Sequence, residues 1–561
     1  MPEPESTPRR RVLVIISSRW SAIRSTVVML ALFALAVTGA VTVTTKAAVA
    51  AGGVEDSGAG CTVSLPGSLT ANSLLPDPFT RLNGTRISSV SDWTCRREEI
   101  LQLAQKYIYG TKPPKPASVT GTVSSTSITV NVSNNGKSAS WSAGVQLPST
   151  GSGPFPAVIV YGGAGVDTST ILNSGAAVIN YNPYNVGAEG TARDQDTGAF
   201  YTLYGPSDST GLLMAWAWGV SRIIDVIEQS GGNILKADDT GVSGCSRFGK
   251  GAFVAGVFDQ RIPLTMPVES GTDGVPILRG VPGESGAQPL GEAYGEQPWV
   301  GDAFNSFTGN PNMLPVDTHE MVGLVAPRGL FMMENPHVDW LAAKSGSVAA
   351  LGGAEVYKAL GAGNNISYWS DVADGTHCAV RPEWQAPMAQ SIKAFLENSG
   401  TAPAVFRISS LKQGNLAQWR NWTTPTLTSG TTNTVTVTNP GTQAATVGTA
   451  ASLQIQASDS AAGQTLSYSA TGLPAGLAIS ASTGLISGTP TAAANNTVTV
   501  TVKDATGASG TASFAWNVSG GTGGGTCHVT YTKNSEWAGG FTVQVVIANT
   551  GTTAVSGWSL A

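Results

Sequence analysis

Apolar residues follow two alternating patterns along the first two thirds of the chain. Short unbroken runs occur at Phe155–Tyr161, which ends in Gly162-Gly163, and at 176–181, 241–245, 262–268, Gly329–Met333 and 366–372. Runs of this length without a polar face predict strands buried on both sides. Between them, Leu212–Gln229 carries Trp216, Trp218, Ile223, Ile224 and Ile227 at helical spacing and stops at Gly231-Gly232. Residues 248–257 and 388–397 also predict helices. Strands alternating with helices imply a mostly parallel sheet covered on both faces, the α/β class. After about residue 425 the period falls to two, as in Thr434-Val435-Thr436-Val437 and 498–502. The block 432–519 therefore predicts an all-β sandwich with exposed antiparallel strands. The Gly-rich stretch 520–526 predicts a flexible linker. A β-rich piece, 527–561, closes the chain, and it is short for a stable β-domain, so the natural C-terminus is expected to lie further on.

Composition narrows the class. The 561 residues leave room for three or four domains at ~150 residues each. Only 12% of residues are charged, against roughly 25% in ordinary globular chains. The net charge is −5 and no basic run lies beyond the N-terminal segment, which excludes a basic nucleic-acid binder. One long apolar run, 27–43, excludes a polytopic membrane protein. That run follows Arg9, Arg10, Arg11, Arg19 and Arg24 and precedes Ala48-Val49-Ala50, so residues 1–50 read as a signal peptide with an A-x-A cleavage site. The expectation is a secreted, extracellular protein with no membrane attachment after cleavage. Without the leader, 25 basic residues face 34 acidic ones, which argues against anionic partners. Export makes disulfides plausible among Cys61, Cys95, Cys245, Cys378 and Cys527. No pair has the C-x-x-C spacing of a zinc or redox site, and the odd count leaves one thiol without a partner in this chain.

The chemistry concentrates in Gly244-Cys245-Ser246-Arg247-Phe248-Gly249-Lys250-Gly251, where a buried strand runs through a Gly-rich turn into a helix. This is the logic of a nucleophile elbow: small neighbours permit a tight turn that exposes the serine hydroxyl. The following N–H and the helix N-terminus then face the developing oxyanion. The match to G-x-S-x-G is imperfect, because a Gly stands three residues after Ser246. A base is needed, and the four histidines are His319, His337, His377 and His528. His377 follows the last core strand, where the order Ser, acid, His would place it. His319 and His337 read as structural. The acid could be Glu269, Asp339, Asp371 or Asp374; Glu269 ends an apolar strand, where a carboxylate can orient an imidazole. Cys245 precedes Ser246 and Cys378 follows His377, so a bridge between them would pin the two loops together.

At these residues the chain resembles the glucuronoyl esterases, family 15 of the carbohydrate esterases. The resemblance runs from about Cys61 to Gly400. It includes Leu75-Pro76-Asp77-Pro78-Phe79, Asp92-Trp93-Thr94-Cys95-Arg96-Arg97-Glu98-Glu99 and Met214-Ala215-Trp216-Ala217-Trp218-Gly219. It continues through the Ser246 elbow, Pro267-Val268-Glu269-Ser270-Gly271, Gly295-Glu296-Gln297-Pro298-Trp299, Val338-Asp339-Trp340-Leu341 and His377-Cys378. It implies an α/β-hydrolase three-layer sandwich over 58–425. It also implies Ser246 as nucleophile, His377 as base and Glu269 as acid, with Asp339 in reserve, and Arg247 assisting the oxyanion. Lys250, Gln288, Glu296 and Trp340 would hold the glucuronate, and Cys61–Cys95 and Cys245–Cys378 would be disulfides. A third family bridge has no cysteines here, so the loops around Asp273 and Asn310 would be braced differently. No metal or cofactor is implied, and a monomer is expected. The reaction implied is hydrolysis of the ester between 4-O-methyl-glucuronic acid on glucuronoxylan and a lignin alcohol. Other readings are an acetyl or feruloyl esterase, or a non-catalytic wall-binding protein. Gly472-Leu473-Pro474-Ala475-Gly476-Leu477 and Thr483-Gly484-Leu485-Ile486-Ser487-Gly488 resemble Ig-like spacer domains. Residues 527–561 resemble the opening of a family 2 carbohydrate-binding module, with Trp537 as a stacking residue and Trp558 in the core. Whole, such a module would bind cellulose or xylan.

Overall fold

A computed structural model describes residues 54–428, 433–460, 464–504, 507–520 and 527–549. The expected leader, most of the 520–526 linker and Trp558 lie outside the described residues.

The first two thirds form a ten-stranded mixed sheet. Its strands are β1 (Ser118–Val123), β2 (Ser127–Asn134), β3 (Lys137–Gln146), β4 (Phe155–Tyr161), β5 (Ala177–Tyr181), β6 (Leu235–Cys245), β7 (Leu264–Val268), β8 (Gly329–Met333), β9 (Ile366–Trp369) and β10 (Phe406–Arg407). They lie in the order β1-β2-β3-β5-β4-β6-β7-β8-β9-β10. From β5 to β10 every pairing is parallel; β1, β2 and β3 pair antiparallel and join through β3 to β5. Except for β10, whose two residues are exposed, the parallel strands are the apolar runs of the sequence. The antiparallel edge is polar every second residue, as the burial of β2 shows, and continuous apolar runs do not reveal it. β6 also begins six residues before the apolar run 241–245, in a Lys-Ala-Asp-Asp segment that pairs only partly with β4.

Alternate residues of β4 feed two cores. Ala157, Ile159 and Tyr161 pack on one face, with Trp216, Trp218 and Phe253, whereas Val158 and Val160 pack on the other, with Met388 and Ile392. The helix Leu212–Gln229 is buried all the way round from Leu212 to Ile227. It packs on β1, β2 and β6 of the sheet and beside the helix Arg247–Phe258, and this burial explains its apolar composition beyond one face. Chain order reverses between β4 and β6, so the crevice at their carboxyl ends is the topological switch point where open α/β sheets place ligands.

Among the described residues, nine short strands between Val435 and Ser519 form the second β unit. The longest pair, Ala494–Lys503 with Ser509–Ser519, turns Val498, Val500, Val502, Phe514, Trp516 and Val518 into one core. Thr and Ser occupy most of the opposite face, which is the period-two pattern of the sequence. Cys527–Trp537 and Gly540–Asn549 form an antiparallel hairpin on which Tyr531, Trp537 and Phe541 are all exposed. Among the described residues, no helix is long and apolar enough to cross a membrane.

Candidate active site

The switch-point crevice holds Ser246. β6 ends at Cys245, Ser246 takes φ 58° and ψ −127°, and the helix Arg247–Phe258 starts at the next residue. Left-handed φ is costly for a residue with a side chain and is common at functional turns. Two glycines make the turn possible. A Cβ on Gly244 would stand 2.4 Å from Phe248 O, and one on Gly249 would stand 2.5 Å from Val268 O. The backbone of β7 passes against the third residue after the serine, so the glycine is needed there.

Glu269 is the first residue after β7, wholly buried and at φ 45°. Its Oε2 accepts from His377 Nδ1 at 2.6 Å and from the Cys378 N–H at 2.8 Å. Its Oε1 accepts from Asn335 Nδ2 at 3.3 Å, with Arg381 Nε at 3.7 Å. The carboxylate thus fixes both the ring and the loop that carries it. The Nδ1 contact leaves Nε2, 3.7 Å from the disulfide sulfur of Cys378, as the nitrogen of His377 that could act as a base. No hydrogen bond joins Ser246 Oγ to His377 among the described residues; in free enzymes this bond is commonly long and tightens on substrate. Cys245 and Cys378, the immediate neighbours of Ser246 and His377, form a disulfide with Cα atoms 5.9 Å apart. Gly165, at φ 75°, lies against it: a Cβ there would be 2.6 Å from Cys245 Cβ. The Cys61–Cys95 disulfide is also formed.

A polar ring surrounds the serine. Arg247 Nη1 donates to Glu189 Oε2 at 2.7 Å, and its guanidinium lies 5.5 Å from the centre of the Trp299 ring. Glu189 also accepts from Trp299 Nε1 at 2.6 Å and from the Tyr184 hydroxyl at 2.9 Å. Lys250, one helical turn from Ser246, is buried and donates to Ser270 O at 2.6 Å and Thr272 O at 2.5 Å. Burial lowers its ammonium to about 8, against the pull of Asp273, Glu296 and Glu334. Gln288 Nε2 donates to Glu296 Oε2 at 2.7 Å, and the Gln288 N–H donates to Trp340 O at 3.2 Å. The Trp340 side chain is 52% exposed and meets the His377 ring edge-on at 5.8 Å.

The family model for the fungal glucuronyl esterases matches residues 130–361. The 4-O-methyl-glucuronoyl methylesterase of Hypocrea jecorina is 39% identical over 376 residues, covering 66% of this chain and 80% of that protein. This chain belongs to the glucuronoyl esterase family. It is a carboxylic ester hydrolase by that membership. The Podospora anserina relative of the same description is 39% identical over 373 residues, covering 64% of this chain and 76% of that protein. Among solved structures, the glucuronoyl esterase catalytic domain of Hypocrea jecorina superposes with a TM-score of 0.61 at 38% identity. It covers 65% of this chain and all of that one. A mutant glucuronoyl esterase of Sporotrichum thermophile, in complex with methyl 4-O-methyl-β-D-glucopyranuronate, gives 0.62 at 35% identity, covering 66% and 100%. An Ig domain family (He_PIG) matches 422–519, and a cellulose binding domain family matches 527–561.

The esterase brings Ser246, Arg247, Lys250, Glu269, Gln288, Glu296, Trp340 and His377 to one crevice mouth and leaves the other candidates outside. Asp339 is exposed and pairs with Lys412 at 2.9 Å, Asp371 faces Arg407 at 3.5 Å, and Asp374 accepts from the Thr376 N–H at 2.7 Å. His319 Nε2 bonds Pro76 O and His337 Nε2 bonds Val372 O, each at 2.9 Å. Arg279 and Asp317 form a buried ion pair at 2.8 Å. Arg279 also reaches the carbonyls of Leu314 and Val316, and Asp317 accepts from the Leu278 N–H. Glu189, Asn335, Glu334 and Arg381 support the site without a motif in the sequence to mark them. Glu334, at the end of β8, is wholly buried and accepts from Ser270 Oγ; burial and the nearby Glu269 charge push its carboxyl up to about 8.

Proposed function

We propose that this chain is a secreted serine esterase that cleaves the ester between 4-O-methyl-glucuronic acid of glucuronoxylan and lignin alcohols. The observation that carries the mechanism is the Glu269–His377 hydrogen bond at 2.6 Å beside a strained, helix-capping Ser246. Ser246 Oγ attacks the uronate carbonyl carbon as His377 Nε2 takes its proton. The tetrahedral oxyanion faces the N-terminus of the helix Arg247–Phe258 and the Arg247 side chain, where backbone N–H groups and positive charge favour it. Collapse breaks the bond to the alcohol, which leaves with the proton from His377. Water, deprotonated by the same nitrogen, then cleaves the acyl-enzyme and releases glucuronic acid. Lys250, Gln288 and Glu296 supply donors and acceptors for the sugar hydroxyls, and the exposed face of Trp340 suits an apolar sugar face.

In this reading residues 1–50 are the signal peptide, 58–425 the catalytic domain, 432–519 an Ig-like spacer and 520–526 a linker. Residues 527–561 belong to a module that carries the enzyme to cellulose or xylan. The enzyme acts as an extracellular monomer. The test is hydrolysis of benzyl glucuronate and of an acetate ester by the full chain and by Ser246→Ala. Turnover of the glucuronate ester that disappears in the variant is the expected result. Turnover of acetate alone would replace the uronate reading, and turnover that survives Ser246→Ala would remove the serine mechanism.

A further inference from the structure

The loop after β7 carries a charge that the proposed reaction does not use. Lys250 Nζ is held by the carbonyls of Ser270 and Thr272. The next residue, Asp273, is wholly buried at φ 71°, and neither of its carboxyl oxygens has a hydrogen-bond partner among the described residues. A left-handed aspartate and an unpaired buried carboxylate each cost free energy. The fold uses only its backbone: the Tyr109 hydroxyl donates to Asp273 O at 3.1 Å. The charged groups around the carboxylate are Lys250, Arg193 and Glu296. Arg193 spends its guanidinium on the carbonyls of Val300 and Tyr294 and stacks on the Tyr294 ring at 3.7 Å. Glu296 has the same sign as Asp273. Lys250 faces Asp273, Glu296 and Glu334 as attracting groups and Arg247 as a repelling one, with the Trp299 ring 5.3 Å away. Burial holds Glu334 protonated below about 8, so its charge joins only at the alkaline end, and Glu296 stands partly in solvent.

We infer that Asp273 is a positioning residue for sugar recognition: its carboxylate is the buried counter-charge that keeps the Lys250 ammonium charged at the pocket, without touching substrate itself. The inference rests on the reading of Lys250 as a glucuronate contact. Two of the three N–H bonds of the ammonium are spent on carbonyls, which leaves one for a ligand hydroxyl. A neutral amine at that point would be a weaker donor. Burial pushes the Asp273 carboxyl up to about 6, with Lys250 the leading opposing influence. Between about 6 and about 8, therefore, both groups are ionised. Above that window Lys250 loses its proton, and below it Asp273 gains one and the ammonium loses its counter-charge.

The experiment measures kcat and KM of the full chain for benzyl glucuronate from pH 5.5 to 9, for wild type, Asp273→Asn, Lys250→Met and the double variant. Asp273→Asn is expected to raise KM at pH 8 by about fivefold, to leave kcat within about twofold, and to move the alkaline rise of KM down by about one pH unit. Near pH 5.5 its KM should approach wild type, and in the Lys250→Met background it should add nothing. A buried structural aspartate would lower Tm without moving the alkaline limb. If Asp273→Asn folds poorly, Asp273→Gly, which suits the left-handed backbone, makes the same comparison. An unmoved alkaline limb, or additive effects of the two substitutions, overturns the inference while the Lys250 contact stands. A Lys250→Met variant with wild-type KM overturns both.

Discussion

Replacing Glu269 by Gln tests the acid assignment most sharply, because the structure offers a neighbouring control. The amide keeps the volume of a side chain that is wholly buried, but it removes the charge facing His377. It also cannot satisfy all present donors. Oε2 now accepts from both His377 Nδ1 and the Cys378 N–H, and Oε1 accepts from Asn335. An amide oxygen placed toward His377 leaves the NH2 group facing Asn335 and Arg381, both donors. The reverse placement faces two donors with a third. Either way a buried donor loses its partner, at about 1–3 kcal/mol, and the stabilisation of imidazolium is lost. Acids in such triads contribute roughly 10⁴-fold to kcat, so a fall of about 10³ to 10⁴ in kcat with modest change in KM is expected. Asp339→Ala removes an exposed pair with Lys412, and exposed pairs contribute about 0–1 kcal/mol. Its kcat should stay within about threefold of wild type. The assay is initial-rate hydrolysis of benzyl glucuronate, with near-UV circular dichroism to verify folding. The reasoning is refuted if Asp339→Ala loses more activity than Glu269→Gln, or if Glu269→Gln keeps a tenth of the wild-type rate.

Three further outcomes are expected. Replacing Cys245 and Cys378 together by Ala opens a bridge between residues 133 apart, which loop-closure entropy places at about 5 kcal/mol; calorimetry should show a large fall in Tm, and an unchanged Tm would deny the bridge its role. Gly165→Ala puts a Cβ 2.6 Å from Cys245 Cβ at φ 75°, so it should destabilise the fold and lower kcat together; a variant that lowers neither would contradict the packing described. Glu334 holds its proton up to about 8 in the folded state, because of burial and then the Glu269 charge, from an ordinary value of 4.5. The folded state therefore binds more protons than the unfolded one between these values, and the stability from this group is present below about 4.5 and lost as pH rises toward 8. Glu334→Gln, neutral at every pH, should flatten the decline of denaturant stability across that window, and an equally steep decline would show that another group causes it.

Strands buried on both faces were legible because a parallel sheet leaves them no polar side. Phe155–Tyr161 and Gly329–Met333 have the same bounds in sequence and structure. The edge strands Ser118–Val123 to Lys137–Gln146 were not, since Ser, Thr, Asn and Gly on an exposed face resemble loop. The Ser246 elbow was legible from its glycines, and His377 from its place after the last core strand. Glu269 ends an apolar strand and the family resemblance already preferred it to Asp339; in the structure Glu269 contacts the imidazole and Asp339 a lysine. Glu189 and Asp273 had no local signal. Their meaning depends on Arg247 and Lys250, 58 and roughly 23 residues away, being turned into the same pocket by one helix.

The backbone gives a last reason to read this crevice as the working site. Eight non-glycine residues have positive φ among the described residues, and four of them are Ser246, Glu269, Asp273 and Cys378. Each such residue costs about 1 kcal/mol or more, so a fold without use for these side chains would relax toward glycine there. Ser246, Glu269 and Cys378 are also tied to one another. The Ser246 N–H donates to Val268 O, just before Glu269; Glu269 accepts from the Cys378 N–H; and Cys378 is bonded to Cys245, just before Ser246. The strained positions thus close a ring of covalent and hydrogen bonds around the hydroxyl and the imidazole. Such a ring can hold its geometry against the local backbone preference, and electrostatic catalysis needs that geometry fixed before the substrate arrives.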